Sequence, residues 1–578
     1  MFNEIDGASR LSSQINHEPW KCWTVEDLAE KLEQNGLDEA AEVFTKEKID
    51  GSMLDQITPE FLEKIGIRER GLHLKIKKFI ERNGCLEAFG YELSGSKVFN
   101  DPVHGHMELH PLCVAIIDTP QFQRLRYLKQ LGACYFVFPG ASNNRFEHSL
   151  GVCHLAGQLV TALQRRQPWL NISKKDILCV QIAGLCHDLG HGPFSHVFDN
   201  KFIPLVVKDG SWKHEEASVA MFDYMYNDPA NDLAKLFKQY GLTDADRIFI
   251  KEQVAGPSQN SKEWSYFGRP KEKSFLYEIV ANKRNGIDVD KWDYFLRDCH
   301  HLGMRNSFDY TRFIHFARVI FVENQFQICV RDKEVFNMYE MFQTRHALHR
   351  KAYQHKVTHA VEIMLVEAMK EANDFLLIPG KGKMLKMSEC IKEENMDAYM
   401  NLNDSIFHQI LLSPDPNLQK SKDILQALQR RRLYKCAAES VPIEGTRFND
   451  ESVIKDQIMK ALTEEEIANL GLGMMAAEER VIVQVSHLIP KNQFKEQLVR
   501  VFLKPSDDRD ADGKCLQLLM EAFSTWCKNN KMKEPKKFVN IEASPKKHAP
   551  EGYMTPEHPT NPTVKTYSAG KKITKILF

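Results

Sequence analysis

The chain has 578 residues, 43% hydrophobic and 27% charged, the composition of a globular protein with room for about two to four folded units. Its 77 basic and 78 acidic side chains leave a formal charge of -1, which excludes a global attraction to polyanions, so any basic site must be local. The 13 cysteines are scattered singly, none in CxxC, which argues against a disulfide framework or a cysteine zinc ribbon. The opening "MFNEIDGASRLSSQ" has no basic start followed by an apolar run, and no segment is apolar for long enough to span a bilayer, so the expectation is a soluble, intracellular chain with no membrane partner.

Residues 1–19 read as disordered, and a compact unit of short helices follows over 20–83. In "TVEDLAEKLEQNGL", Thr24 with Asp27 forms an N-cap signal, Val25, Leu28 and Leu32 make a helical stripe, and Gly36 ends it. "IDGSMLDQITPEFLEKIGI" adds two short helices with Pro59 in a first turn, and "ERGLHLKIKKFIERN" closes with a longer basic amphipathic helix. The order, with "ITPEFL" and "IGIRERGLHLKI", resembles a sterile alpha motif (SAM) domain, a class of interaction modules. A linker over 84–96 leads into a mainly α-helical region, 97–440, where apolar stripes follow helical rather than strand period. Residues 441–530 are expected to form a small α+β lobe: "RVIVQVSHL" is strand-like and "NQFKEQLVRVFL" fits either state. The tail, 531–578, reads as disordered and basic; from Lys528 onward, eleven Lys stand against four Glu.

The stretch "GLCHDLGHGPFSH", 184–196, carries His187, Asp188, His191 and His196 at the end of a helix, "KKDILCVQIAGLCHDLG", that is apolar on most sides and is expected to end near Gly190. Burying an imidazole and a carboxylate there is costly unless both are satisfied, and a metal ion satisfies both. Imidazole nitrogen with carboxylate oxygen suits Fe, Mn, Zn or Mg. Further candidate ligands sit on other apolar helices: His148 in "NNRFEHSLGVCHLAGQLV", and Asp288, Asp290, Asp293 and Asp298 in "NKRNGIDVDKWDYFLRDCHHLG".

The spaced set His148, His187-Asp188 and Asp290 resembles the HD superfamily of metal-dependent phosphohydrolases, an all-helical fold. With "DPVHGHMELHPLCVAIIDTPQFQRLRYLKQLG", "FPGASNNRFEHSLGV", "NKRNGIDVDKWDYF" and "LHRKAYQHK" in order after a SAM domain, the chain is similar to the vertebrate SAM-and-HD-domain deoxynucleoside triphosphate (dNTP) triphosphohydrolases, over about 20–435 and patchily over 484–530.

The resemblance implies attack of water on the α-phosphorus of a dNTP, releasing deoxynucleoside and inorganic triphosphate. It assigns His148, His187, Asp188 and Asp290 to a divalent metal (Zn, Fe or Mn, with Mg on the nucleotide phosphates), Arg145 and Lys291 to the phosphates, and His191 to the α-phosphate. His214, with His196 and Asp199, matches a proton network, the donor within it left open. Gln130 and Asp298 match partners of the 3′-hydroxyl, Leu131 and Tyr353 crowd the 2′ position, and Tyr294, Arg345 and His349 line the same pocket. A pocket that reads sugar and triphosphate but little of the base accepts all four dNTPs.

By the same resemblance the family is a homotetramer assembled by nucleotides, controls cellular dNTP pools and restricts viral DNA synthesis. Lys97, Asp118, Gln123, Arg126 and Arg431 match a site for GTP or dGTP, where carboxylate plus arginine suits guanine and phosphate. Asn100, Val137, Phe138, Arg312, Arg331, Lys333, Asn337, His355, Lys356 and Lys435 match a neighbouring dNTP site. Between about 437 and 483 the chain departs from the pattern, which puts activation in doubt but not the metal site. The first 22 residues hold only Arg10 and Lys21 as basic groups, so the family's nuclear import signal is missing: nucleus by resemblance, cytoplasm by this absence. Ser544 in "ASPKKH" and Thr555 before Pro556 fit proline-directed phosphorylation, and "RRLYK" and "KILF" resemble cyclin-docking elements. Two rival readings remain at this level: an HD enzyme acting on other nucleotides, and a single-stranded nucleic-acid-binding or scaffolding protein whose metal site is structural.

Overall fold

The computed structural model describes residues 23–82, 96–207, 212–256, 264–443, 448, 450–464, 466, 481–488, 496–505 and 509–538. Residues 84–95 of the expected linker, Ser544, Thr555, "KILF" and the residues before Trp23 lie outside them. The described chain is mainly α-helical, with three separate hydrophobic cores and only small sheets.

The first core belongs to helices Val25–Gln34, Asp38–Lys46, Pro59–Lys64 and Arg70–Arg82. Thr24 forms a capping box with Asp27, and Thr58 caps the helix that Pro59 begins. The helix at Asp38–Lys46 is additional to those read from the sequence; its stripe of Ala40, Ala41 and Phe44 is short and small, so periodicity is weak there. Phe44, Leu28, Leu32, Leu62 and Ile76 meet in a dry interior.

The second and largest core is built around two helices packed against each other, Arg145–Arg166 and Lys174–Cys186. Both are buried on nearly every side, as their apolar residues required. The second ends at Cys186, not Gly190: His187 is the C-cap and 187–190 continue as a turn, with the Leu189 N–H donating to Cys186 O and the His191 N–H to Asp188 O. That turn brings His187, Asp188 and His191 off the helix axis toward one point. Val289–Leu302, capped by Asp288, and Lys356–Ala372 complete the surroundings.

Three antiparallel hairpins interrupt the helical region: β1 Lys97–Asp101 with β2 Gly105–Leu109, β3 Arg318–Val322 with β4 Gln325–Cys329, and β5 Ile378–Gly380 with β6 Lys383–Leu385. The strands are three to five residues long, too short for alternation to stand out.

The third core lies under a four-stranded antiparallel sheet in the order β10-β7-β9-β8, where β7 is Lys435–Ser440, β8 Val481–Leu488, β9 Glu496–Leu503 and β10 Lys536–Lys537. The ambiguous "NQFKEQLVRVFL" is therefore a strand from Glu496, because β7 and β8 pair with it on both sides. The sheet also recruits residues from before 441 and after 530, so the expected edges of this lobe are corrected outward at both ends; cross-strand pairing over such separations leaves no local signal. Arg500 on β9 docks the lobe on the large core, donating to Gln354 O at 2.7 Å and meeting His359 Nδ1 at 2.8 Å.

Because the first core is separate, its loss is expected to be local. Phe44→Ala should lower the stability of that bundle by about 3–5 kcal/mol, seen in calorimetry of the whole chain as a downshift of one minor transition while the main one stays in place.

Candidate metal and nucleotide site

His148 lies one turn into the Arg145 helix, with Arg145 three residues earlier on the same face. Its Nδ1 donates to Asp293 Oδ2 at 2.7 Å, which directs Nε2 at the carboxylates of Asp290 (3.1 Å) and Asp188 (3.5 Å). The His187 Nδ1 donates to Gly184 O at 2.8 Å, and its Nε2 lies 3.3 Å from Asp188 and 3.4 Å from Asp290. Neither Nε2 makes an aligned hydrogen bond, although both are buried. Two imidazole lone pairs and two carboxylates thus converge on one point without bonding to each other, and each ring is oriented from behind, as a metal site requires. The donor set fits a divalent transition ion.

The surroundings hold these groups in charged form. Burial disfavours an imidazolium at His148, but the acceptor oxygens of Asp290 and Asp293 close to its ring nitrogens and the charges of Asp293 and Asp188 outweigh it and raise its pKa to about 10. Burial would likewise raise the Asp188 carboxyl; the Arg145 guanidinium, 2.5 Å away, and His187 hold it well below the usual range. Behind His148, Asp293 is bridged by Arg297, bonded in turn to Asp101, and by His104 at 2.7 Å. Gly151 makes this possible, since a Cβ there would lie 1.8 Å from Asp293 Oδ1.

A second cluster, His191, His196, Asp199 and His214, adjoins the first. Asp199 Oδ2 lies 2.7 Å from His214 Nδ1 and 3.3 Å from His196 Nδ1, and His191 stacks on His214 with centroids 3.9 Å apart. Burial, then the charges of Arg145 and His214, keep His191 neutral.

Both clusters border one cavity of about 860 Å³. All of Gln130, Leu131, Arg145, His191, His196, Lys291, Tyr294, Asp298, Arg345, His349 and Tyr353 line it. Lys291 is held on both oxygens of Asp288 at 3.0 and 2.9 Å. Tyr353 donates to Asp298 Oδ2 at 2.5 Å, and burial pushes the Asp298 carboxyl up to about 6. Gln130 Oε1, His191 Nδ1, Arg345 Nε and His349 Nδ1 are buried with no protein partner, which leaves polar capacity for a polar ligand.

The sequence also matches the HD domain family over residues 145–239 and the SAM domain (sterile alpha motif) family over 22–83. Over 558 residues it is 45% identical to the human deoxynucleoside triphosphate triphosphohydrolase SAMHD1, covering 90% of this chain and 87% of that protein. The chain belongs to the SAMHD1 family. Its similarity to the Xenopus laevis SAMHD1 is 46% over 89% of this chain and 87% of the relative, and to the Dictyostelium discoideum SAMHD1 homolog 37% over 76% and 82%.

The residues expected to bind activators are not gathered within one chain in the same way. Arg126 and Arg431 line a second cavity of about 630 Å³, but Lys97, Asp118 and Gln123 do not. Gln123 instead accepts from Arg126 Nε at 2.7 Å, Asp118 caps the Pro111–Ile117 helix, and Lys97 lies over Phe99. Arg312 and Arg331 share Glu334, Lys333 lies in the short turn Asp332–Glu334, and Asn337 bonds Asp309, whereas Phe138 packs edge-on against His355 and Lys356 lies over Phe538. Asn100 is on β1, Lys435 on β7, and Val137 follows a short turn, Gly132–Phe136. Sequence reasoning named Asp288 and Asp293 only as candidate ligands, whereas Asp293 supports His148 and Asp288 holds Lys291, and it missed Arg297, His104 and Asp101 behind them. Asp293 and Arg297 follow Asp290 at helical spacing, a usable signal; His104 and Asp101 have none.

Metal uptake must displace the proton that the apo site holds on His148. That proton stabilises the apo fold fully below the unfolded value near 6.5, and the contribution fades as pH rises through about 10. Titrating chelator-stripped protein with Mn²⁺ or Zn²⁺ by calorimetry at pH 7, in buffers of different ionisation enthalpy, is expected to show release of about one proton or more, and weaker affinity as pH falls.

Proposed function

We propose that this chain hydrolyses dNTPs to deoxynucleoside and inorganic triphosphate. The observation that carries the reading is one cavity lined by the carboxylates of Asp188 and Asp290, each within 3.5 Å of the imidazoles of His148 and His187, together with cations, the histidines around Asp199 and polar groups suited to a sugar. The activity printed in the names of relatives at 44–46% identity supports it.

His148, His187, Asp188 and Asp290 would hold the ion, with Zn, Fe or Mn suited to these donors and Mg to the phosphates. Bound there, a divalent ion polarises phosphate and lowers the proton affinity of water. Arg145, fixed by Asp188 and by Ser195 Oγ at 3.0 Å, and Lys291, fixed by Asp288, neutralise charge growing on the phosphates. Arg345, which also lines the cavity, adds a further cation. The neutral His191 contacts the α-phosphate without supplying a proton. Water adds to the α-phosphorus, the bond from phosphorus to the 5′-oxygen breaks, and the Asp199-held pair His196 and His214 delivers the proton that oxygen needs.

Sugar choice follows from the other wall. Asp298 accepts the 3′-hydroxyl, Gln130 Oε1 stands free to do so, and Leu131 and Tyr353 leave no room for a 2′-hydroxyl. Tyr294 and His349 line the cavity beside them. Regulation is proposed on the resemblance: GTP or dGTP at Lys97, Asp118, Gln123, Arg126 and Arg431, a dNTP at the neighbouring set, homotetramer assembly, residence in the nucleus and a role in limiting dNTP pools. No helix among the described residues is long and apolar enough to cross a membrane.

Incubation with dGTP and a divalent metal, followed by phosphorus NMR, is expected to yield free triphosphate from the natural protein and none from His187→Ala/Asp188→Ala; orthophosphate or pyrophosphate as the first product would sink the reading. The pH profile supplies a second check. Burial places Asp298 near 6, so as pH falls through about 6 its carboxylate protonates and the acceptor for the 3′-hydroxyl is lost: KM for dNTP should rise below that point, and Asp298→Asn should raise KM and remove the rise.

A further inference from the structure

The two walls of the cavity are tied together by a carboxylate outside it. Asp404 accepts the Lys129 N–H on Oδ2 at 2.8 Å and the Phe194 N–H on Oδ1 at 2.6 Å. Lys129 precedes Gln130 and Leu131 on the sugar side; Phe194 precedes Ser195 and His196 on the phosphate and proton side. One side chain therefore fixes the backbone of both.

Phe194 and Ser195 are consecutive residues in the left-handed region, at φ 57° and 56°. Neither is a residue type that favours it, so the conformation persists only because its surroundings over-determine it. Asp404 supplies one determinant. Ser195 supplies another: its Oγ donates to Lys129 O at 2.7 Å and accepts from Arg145 Nε at 3.0 Å, so the same turn positions the phosphate-binding guanidinium. At the contact, Gly132 has φ 48° and a Cβ would lie 2.4 Å from Phe194 O, so the walls touch with no slack.

Asp404 is itself anchored. Its N–H donates to Tyr127 O at 3.2 Å. Just upstream, Tyr399 donates to Gly190 O at 2.7 Å, and the buried Arg124 joins Leu402 O (2.6 Å) to His191 O (2.8 Å). The 399–404 segment thus braces the histidine loop from behind at Gly190, His191 and Phe194.

We propose that Asp404 is a positioning residue of the reaction: by holding the Lys129 and Phe194 amides on one carboxylate it sets the distance between the sugar-reading and proton-delivering walls, and so governs deoxyribose selection and turnover together. It belongs to neither histidine cluster and does not line the cavity. The inference rests on the dNTP reading of the cavity given above. A carboxylate that merely stapled the fold would lower stability and leave sugar choice untouched.

The test compares full-length, metal-loaded natural protein with Asp404→Asn, which keeps the volume but has a single acceptor oxygen, and Asp404→Ala, which has none. Expected are a kcat lower by on the order of 10- to 100-fold, a ratio of ribonucleotide to deoxynucleotide turnover higher by about tenfold, and unchanged metal content by mass spectrometry. Amide hydrogen exchange should quicken at Lys129 and Phe194 but not at Val152 or Leu155 in the core helix. Should Asp404→Ala lose its fold, Asp404→Asn carries the test. Fast exchange of both amides in the natural protein, or quickened exchange in Asp404→Asn with kcat, KM and sugar ratio all within about twofold of natural, would overturn the proposal. Failure of the natural protein to release triphosphate would overturn the dNTP reading and the positioning role with it, while the exchange measurement would still say whether the clamp exists.

Discussion

Two carboxylates and two imidazoles share a point inside a hydrophobic core, and much of the architecture exists to make that tolerable. An unpaired buried charge costs several kcal/mol or more, so each of these groups must be met by another group or by an ion. Asp188 is met by Arg145, His148 by Asp293, and Asp293 by Arg297 and His104. Only the side of each imidazole that faces the common point is left without an aligned partner. The need for the ion and its place in the protein are thus set by the same arrangement.

That requirement explains why the supporting helices are apolar on nearly every face. The Arg145–Arg166 and Lys174–Cys186 helices are locked by packing, so the side chains they carry inherit fixed directions. Ligation then needs little reorganisation. The histidine loop, which leaves its helix at Cys186, packs Leu189, Phe194 and Val197 into the same core and is held besides by Arg124 and Tyr399, which donate to its carbonyls, and by Asp404, which accepts from the Phe194 N–H. Rigid helices carry His148 and Asp290, the first turn off a helix carries His187 and Asp188, and a braced loop carries His191 and His196.

The charge pattern of the cavity follows from the same division. The carboxylates of Asp188 and Asp290 share the cavity lining with the cations Arg145, Lys291 and Arg345; Arg145 is held by Asp188 and Lys291 by Asp288. The histidines His196 and His214, joined through Asp199, line the same cavity.

Much of this was legible in the chain itself. Apolar periodicity identified the two core helices, the Thr24 position follows ordinary capping chemistry, and the His-Asp pair at the end of a buried helix pointed to a metal once His148 and Asp290 on other apolar helices were set beside it. These are short-range relations, a few residues apart, which sequence records directly. What periodicity could not record was pairing at a distance. The strand assignment of 496–503 depended in part on β7, which pairs with it from Lys435–Ser440, the support of His148 came from Asp293 and His104, and the clamp at Phe194 came from a carboxylate 210 residues away. Sequence alone supplied candidates for the chemistry, because ligand and acid-base character is fixed by the side chain. Only the tertiary structure decided how they are oriented, because orientation is imposed by hydrogen-bond partners that packing, not chain proximity, brings into reach.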